Sequence, residues 1–419
     1  MSPTFRSLHV RNYRIYASGQ LAANVGVWMQ RVAQDWLVLQ LSGGSALALG
    51  LTVALQFLPI ALFSLWGGSL ADRFPRRRLL TLTASAMGAL ALLLGAIVLA
   101  GLATVGIVMA MSFALGVVAA LDSPARQAMV SELVTRDDLH NAVALNSASF
   151  NLGRVLGPAT AGFLVAAVGS GWVFVINALG YVTVVVALQL LRADEMTAPE
   201  PVQREKGMLR EGVRYVSSRP PLVLVMVIAF FVGTFGLNYQ LTMALMTIKE
   251  FGLGPAEFGL ASTVLAVGSL TGSLLAARRG APQLRLVVMS AVLFGVAAMV
   301  ASTMPTYATF LLALPWVGAA ALTLINSAQS YLQLHSEPQV RGRVMGLYML
   351  VFMGGTPLGS PLVGWVADAY GPRWSIALGG AVSAVAALVA ASLLLRRDGL
   401  RVEPHLRPHP RFDVVGQQA

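Results

Sequence analysis

The stretch GGSLADRFPRRRLL, Gly67 to Leu80, decides how the rest of the chain is read. An apolar run from about Ala46 to Leu65 leads into it, and a second, from about Leu79 to Leu99, leaves it. Each run is long enough to cross a hydrocarbon core of roughly 30 Å as a helix. Between them sit one acid, Asp72, and four arginines, Arg73, Arg76, Arg77 and Arg78. Such a turn cannot lie in lipid, and its basic excess marks the cytoplasmic side of a membrane. That assignment orients every other span.

Composition agrees. Of 419 residues 56% are hydrophobic and only 11% charged, with a mean hydropathy of +0.72. Soluble domains carry about 25% charged residues, so the chain reads as a membrane protein. A net charge of +11 raises the question of nucleic acid, but placement answers it. Arg31 and Arg154 fall within spans, Lys249 and Arg373 fall in loops on the outer side, and the other Lys and Arg residues gather at cytoplasmic ends, loops and tails. The basicity therefore follows topology and contact with anionic lipid, not a nucleic-acid groove. With no cysteine, disulfides and thiol-ligated metal sites are excluded. The two lysines, Lys206 and Lys249, lie in no phosphate-binding Gly-x-x-x-x-Gly-Lys-Ser/Thr element, which argues against nucleotide hydrolysis. No cofactor and no metal site is expected. His405 and His409 sit in a Pro-rich basic tail that reads as solvated.

Twelve spans are expected, at about 13–41, 46–69, 79–101, 104–121, 142–168, 171–191, 222–248, 257–277, 285–304, 307–333, 342–369 and 373–395. The basic start is read as an uncleaved first helix with its N-terminus inside. An even count then places both termini in the cytoplasm. The chain divides into a first six-helix bundle (1–191), a linker (192–221), a second bundle (222–395) and a tail (396–419). In the linker, MLREGVRYV places Leu209, Val213 and Val216 at helical spacing, as an interfacial amphipathic helix does.

The halves repeat. A shift of 202 residues carries Phe150, Gly153, Gly157, Gly162, Gly169 and Trp172 onto Phe352, Gly355, Gly359, Gly364, Gly371 and Trp374. A shift of 205 carries Gly67 and Arg73 onto Gly272 and Arg278, while Asp72 meets Ala277. Duplicated six-span halves fit a transporter that rocks two bundles about a midplane site.

The polar residues within spans are the candidate site. In the first span Gln20, Asn24, Trp28, Arg31 and Asp35 share one helical face, which lipid would reject and a cavity between bundles would accept. Asp35 is the acid placed inside a span away from a cytoplasmic end, and a carboxylate withdrawn from water can bind a proton reversibly. Arg31, one turn away, opposes that role, so a structural ion pair between them is the alternative. Arg154 in the fifth span either meets an anionic cargo group or a carboxylate, or bonds to helix carbonyls. Asn238, Tyr239 and Gln240 interrupt the seventh span, and Asn326 and Gln329 polarise the tenth. These either bind cargo or tie helices together. Met226, Met243, Met246, Met349 and Met353, with Phe230, Phe231, Phe235 and Phe352, either form an adaptable wall or face lipid and core.

Two motifs carry a family resemblance. Gly68-x-Leu70-Ala71-Asp72-Arg73-x-x-Arg76-Arg77 resembles the loop signature between the second and third helices of major facilitator transporters, with Pro75 where glycine is usual. Gly153-x-x-x-Gly157-Pro158-x-x-Ala161-Gly162 resembles the fifth-helix motif of exporters in that superfamily, with Ala161 in place of a glycine. The glycines suit close helix approach and Pro158 a kink. With DSPARQAMVSEL (Asp122–Leu133), the chain resembles the bacterial drug and siderophore exporter branch that includes enterobactin and macrolide efflux proteins. The resemblance implies an all-α fold of twelve transmembrane helices in two pseudo-symmetric bundles. It also implies a non-enzymatic, monomeric inner-membrane antiporter exporting amphipathic small molecules against protons. Ser112 stands where the family's fourth helix often has a proton-relay arginine before Gly116, so that relay is not carried over. Uptake on the same fold is the alternative, and a non-transporting receptor or scaffold a more remote one.

Overall fold

The computed structural model describes residues 3–196, 208–277, 283–397, 400–405 and 411–416. Twelve long helical segments follow one another: α1 (Arg11–Leu41), α2 (Ala46–Arg73), α3 (Arg76–Leu99), α4 (Val105–Leu133), α5 (Arg136–Val168), α6 (Ser170–Gln189), α7 (Pro220–Glu250), α8 (Pro255–Ala277), α9 (Leu284–Ser302), α10 (Tyr307–Leu334), α11 (Arg341–Tyr370) and α12 (Pro372–Arg397). Eleven are apolar enough to cross a membrane on hydropathy alone. The twelfth is α1, whose 31 residues span about 46 Å but carry the polar face described above.

The packing repeats between halves. In the first, α1 packs on α5 and α6, α2 on α4, and α3 on α4 and α6. In the second, α7 packs on α11 and α12, α8 on α10, and α9 on α10 and α12. Two seams join the halves, α2 against α11 and α5 against α8, each the counterpart of the other under the repeat. Residues paired by the two shifts take equivalent places. Gly169 and Gly371 turn the chain at positive φ, 86° and 100°, between α5 and α6 and between α11 and α12, a conformation that costs glycine nothing sterically. A Cβ at Gly67 would overlap the Ala120 carbonyl on α4, and one at Gly272 the Ala319 carbonyl on α10.

Two expectations are corrected. The second helix does not stop at residue 69: it runs through Arg73, and the turn is reduced to Phe74 and Pro75. The proline supplies a fixed φ for the reversal without a loop. The fourth helix does not stop at 121 but reaches Leu133. Asp122 and Glu132, expected outside it, are therefore buried helical residues, and Asp35 is not the sole acid inside. The fifth helix carries Pro158 inside one continuous element. In α7, wide π-type turns fall at Val232–Gly236 and Met246–Glu250, with a non-helical step at Leu237 and Asn238 beside the polar residues expected to interrupt it.

The linker helix (Met208–Ser217) docks on the start of α11. Glu211 pairs with Arg343 at 2.5 Å, Arg219 pairs with Glu337 at 2.6 Å, and the Glu337 amide donates to the Tyr215 hydroxyl. Val216 is buried and Val213 exposed, so the expected apolar face is only partly covered; the Leu209 side chain lies outside the described residues. In the tail, β1 (Leu400–His405) pairs antiparallel with β2 (Arg411–Gly416); His409 lies outside the described residues.

Candidate functional site

The seam between halves is closed at the end opposite the arginine-rich turn. There Asp368, near the end of α11, meets the first turn of α2. Its carboxylate accepts from the amides of Ala46 and Leu47 at 2.9 and 2.8 Å and from the Ser45 hydroxyl at 3.2 Å. Lys249 of α7 donates to the same carboxylate at 2.8 Å. An anion at a helix N-terminus satisfies amides that lack intrahelical partners. Beside it, Arg373 pairs with Glu250 at 2.8 Å and donates to the Ser302 and Met304 carbonyls, covering the end of α9. Close backbone approach continues inward. A Cβ on Gly162 of α5 would stand 2.6 Å from the Pro255 carbonyl oxygen on α8, and one on Gly364 of α11 would overlap the Ala46 carbonyl of α2. Towards the arginine-rich end the same helices expose Val143 and Phe150 on α5 and Leu270 and Leu274 on α8.

Beneath the closed end lie buried polar atoms that have no hydrogen-bond partner among the described residues. They are Trp28 Nε1, Arg31 Nε and Asp35 Oδ2 on α1, Tyr239 Oη on α7 and Ser262 Oγ on α8. Asp35 is 4% exposed and forms no ion pair with Arg31, although the two charges are within electrostatic reach. The Arg31 guanidinium turns the other way, 4.8 Å from the Trp28 ring and 5.6 Å from that of Phe57. Arg31 also feels Arg154, and Arg154 feels Tyr239. Arg154 donates to Ser269 of α8 at 3.1 Å; it thus crosses the α5–α8 seam. Trp28 meets Phe150 edge to face at 5.8 Å, and the Tyr239 ring meets Phe294 at 6.1 Å.

Other residues expected at the site are committed to holding helices together. Gln20 accepts from Arg126, which pairs with Asp122 on the same helix, and Asp122 accepts from Thr83 of α3 at 2.7 Å. That buried node of α1, α3 and α4 was missed because it depends on α4 continuing past residue 121. Asn24 donates to Ser149 of α5, and Asn326 to Ser273 of α8. Asn238 donates to the Thr234 carbonyl and accepts from Ser360, tying the break in α7 to α11. Gln240 and Gln329 are half-buried and have no hydrogen-bond partner among the described residues. Met226, Met243 and Met246 are core, whereas Met349 and Met353 are exposed. Ser112, at the position of the absent relay arginine, is buried and accepts from Gln34 of α1 at 2.9 Å.

In the fifth-helix motif, Gly153 and Gly157 face α1, against Asn24 and Trp28, whereas Pro158 and Gly162 meet α8. In the loop motif, Arg76 pairs with Glu132 at the end of α4, both nearly buried. Arg77 donates to the Gln189 carbonyl of α6 at 2.8 Å. Arg73 is exposed, Gly68 half-buried, and the Asp72 side chain lies outside the described residues.

A family model described as a transmembrane secretion effector (MFS_3) matches residues 2–413. The chain belongs to the major facilitator superfamily. This facilitator is 24% identical to the staphyloferrin A transporter of Staphylococcus aureus over 361 residues, 85% of this chain and 90% of that one. It is 29% identical to the multidrug efflux pump Tap of Mycolicibacterium fortuitum, over 84% and 88% of the two chains. With the enterobactin exporter EntS of Shigella flexneri it shares 28%, over 86% and 84%. Among solved structures it superposes on a bacterial homologue of the human lysosomal transporter Spinster, inward-facing and unoccupied, with a TM-score of 0.71. That match has 16% identity and covers 94% of this facilitator and 98% of the other chain, which fixes the fold alone.

Proposed function

We propose that the chain exports amphipathic small molecules of the drug or siderophore kind across the cytoplasmic membrane in exchange for protons, as a monomer with the arginine-rich end and both termini in the cytoplasm. The observation that carries this reading is the set of unpartnered polar atoms, Trp28 Nε1, Arg31 Nε, Asp35 Oδ2 and Tyr239 Oη, at the junction of two bundles sealed on one side. A packed core satisfies such atoms; a transport site keeps them for what it carries. Trp28, Phe57 and Phe150 supply apolar contact area to an amphipathic cargo. Arg154, whose polar partner is Ser269, offers its remaining N–H donors to an acceptor on that cargo. Asp35 takes up a proton while the site is empty and yields it when cargo occupies the site. The seam at Asp368 opens and the arginine-rich end closes in the return half of the cycle, with Gly68, Asp72, Arg73, Arg76 and Arg77 as the parts that make that second closure. The relatives named for efflux and enterobactin export support the outward direction.

The test is accumulation of a fluorescent amphipath panel in cells with and without the chain, before and after collapse of the proton gradient. Export predicts lower accumulation that returns to the control level on collapse. Higher accumulation with the chain means uptake, and no difference across the panel removes transport of such compounds.

A further inference from the structure

The flank formed by α7 and α12 carries an apolar groove of about 660 Å³, walled by Val223, Val227 and Phe231 on one side and Val385, Val389 and Leu393 on the other. It follows α7 from Pro220 to Phe231, about 16 Å of helix, within a segment apolar enough to cross a membrane. One end is reached where the linker helix meets α7, at Ser217 and Pro220. Two exposed arginines extend the walls past that end. Arg214 lies three residues before Ser217 and Arg396 three after Leu393, so each continues the same helical face. Neither guanidinium has a partner among the described residues, whereas neighbouring Arg219 is taken by Glu337 and stacked on Tyr215.

The repeat provides an internal comparison. The equivalent groove between α1 and α6, lined by Leu21, Val25, Met29 and Ile176, has about 420 Å³. The arginines one and two turns before its Ser18 are committed: Arg14 donates to the Leu8 carbonyl and Arg11 to that of Leu190. One groove therefore pairs an apolar channel with positive charge that has no partner among the described residues, and its counterpart does not.

We propose that the α7–α12 groove is a binding site for an anionic phospholipid, one acyl chain lying along Val227 and Val389 and the headgroup phosphate held by Arg214 and Arg396. The chain alone gives no choice among lipids, since every lipid tail is equally apolar. The arginines give the choice, each favouring an anionic headgroup by about fivefold.

The cysteine-free chain permits a direct test in lipid nanodiscs. Val385→Cys and, separately, Ile176→Cys are labelled with a small fluorophore, and quenching by brominated phosphatidylglycerol is compared with that by brominated phosphatidylcholine. At position 385 phosphatidylglycerol is expected to associate about fivefold or more in excess, and at 176 the two lipids come near parity. Arg214→Gln with Arg396→Gln should bring position 385 to parity, while the monomeric elution and transport of the variant show that it is folded. Parity at 385 with both arginines present overturns the proposal. So does an equal phosphatidylglycerol excess at both positions, which is general surface attraction, or displacement of the lipid by a neutral amphiphile as readily as by phosphatidylglycerol.

Discussion

Asp368 on α11 accepts a hydrogen bond from the Leu47 amide on α2 at 2.8 Å, while Lys249 holds the other oxygen of the same carboxylate at 2.8 Å. The first bond joins the two halves of the molecule and the second stays within one. Separation of the halves at this end must break the bonds to Ser45, Ala46 and Leu47 but can leave Lys249 in place. Asp368 is thus positioned as a latch on the closed end.

Asp368→Asn removes the charge that the α2 N-terminus and Lys249 both require. Hydrogen bonds to a charged group contribute about 1.5–3 kcal/mol each, so losing even one unit of this set shifts the balance between closed and open by tenfold or more. Spin labels on Leu47→Cys and Leu362→Cys, both exposed beside the seam, should report a longer-distance population in the Asn variant. An unchanged distance distribution would show that the latch has no hold on the equilibrium.

Gly162 and Gly364 make a paired prediction. They are 202 residues apart and occupy matching places, Gly162 against the start of α8 and Gly364 against the start of α2. A leucine at either position forces the seam apart, at the 1–3 kcal/mol or so typical of overpacking, and should hold the molecule open at that end and stop transport. Gly157→Leu is different, because Gly157 packs on Trp28 and Met29 of its own bundle. That variant should lose thermal stability without opening the seam, as crosslinking between cysteines at positions 47 and 362 would show. Equal crosslinking loss in Gly157→Leu and Gly162→Leu would erase the distinction.

These residues show what the sequence could reveal. The 202-residue repeat is visible as spaced glycines because each one sits where two backbones touch or where φ is positive, demands that no other residue type meets. The polar face of α1 is visible because lipid cannot accept it. What that face touches is not visible. Gln20 and Asn24 look like cavity residues until α4 and α5 supply Arg126 and Ser149 as partners, and Asn238 looks like a ligand until Ser360 arrives from α11. Asp368 was passed over for the same reason. An acid near the end of a span looks solvated, and its role exists only once α2, more than 300 residues away in the chain, starts beside it. Pairing between distant helices leaves no periodic trace in either.

Arg76 and Glu132 provide a stability test at the arginine-rich end. Their side chains are 12% and 9% exposed, so removing one partner strands a nearly buried charge. Glu132→Gln should lower stability by about 3 kcal/mol, and Arg76→Ala with Glu132→Ala together by less than either alone. Thermal unfolding in detergent, followed by tryptophan fluorescence, measures both. Additive losses in the double variant would mean that the pair does not act as a unit.

Asp35 separates a proton carrier from a structural ion pair. A structural ion pair with Arg31 would predict that Asp35→Asn destabilises the protein and that Arg31→Gln partly restores it. The geometry points elsewhere: no ion pair joins them, and Arg31 lies over Trp28 and Phe57 instead. Asp35→Asn should therefore fold, retain its melting temperature within a few degrees and still bind cargo, because an amide fills the same space. It should fail at uphill export, since an amide cannot carry a proton from one side to the other. Arg31→Gln added to it should restore neither transport nor stability. The deciding measurement is proton movement on addition of cargo to proteoliposomes containing the purified variant. Proton release equal to that of the unaltered protein would remove Asp35 as the carrier, and rescue by Arg31→Gln would return it to a structural role.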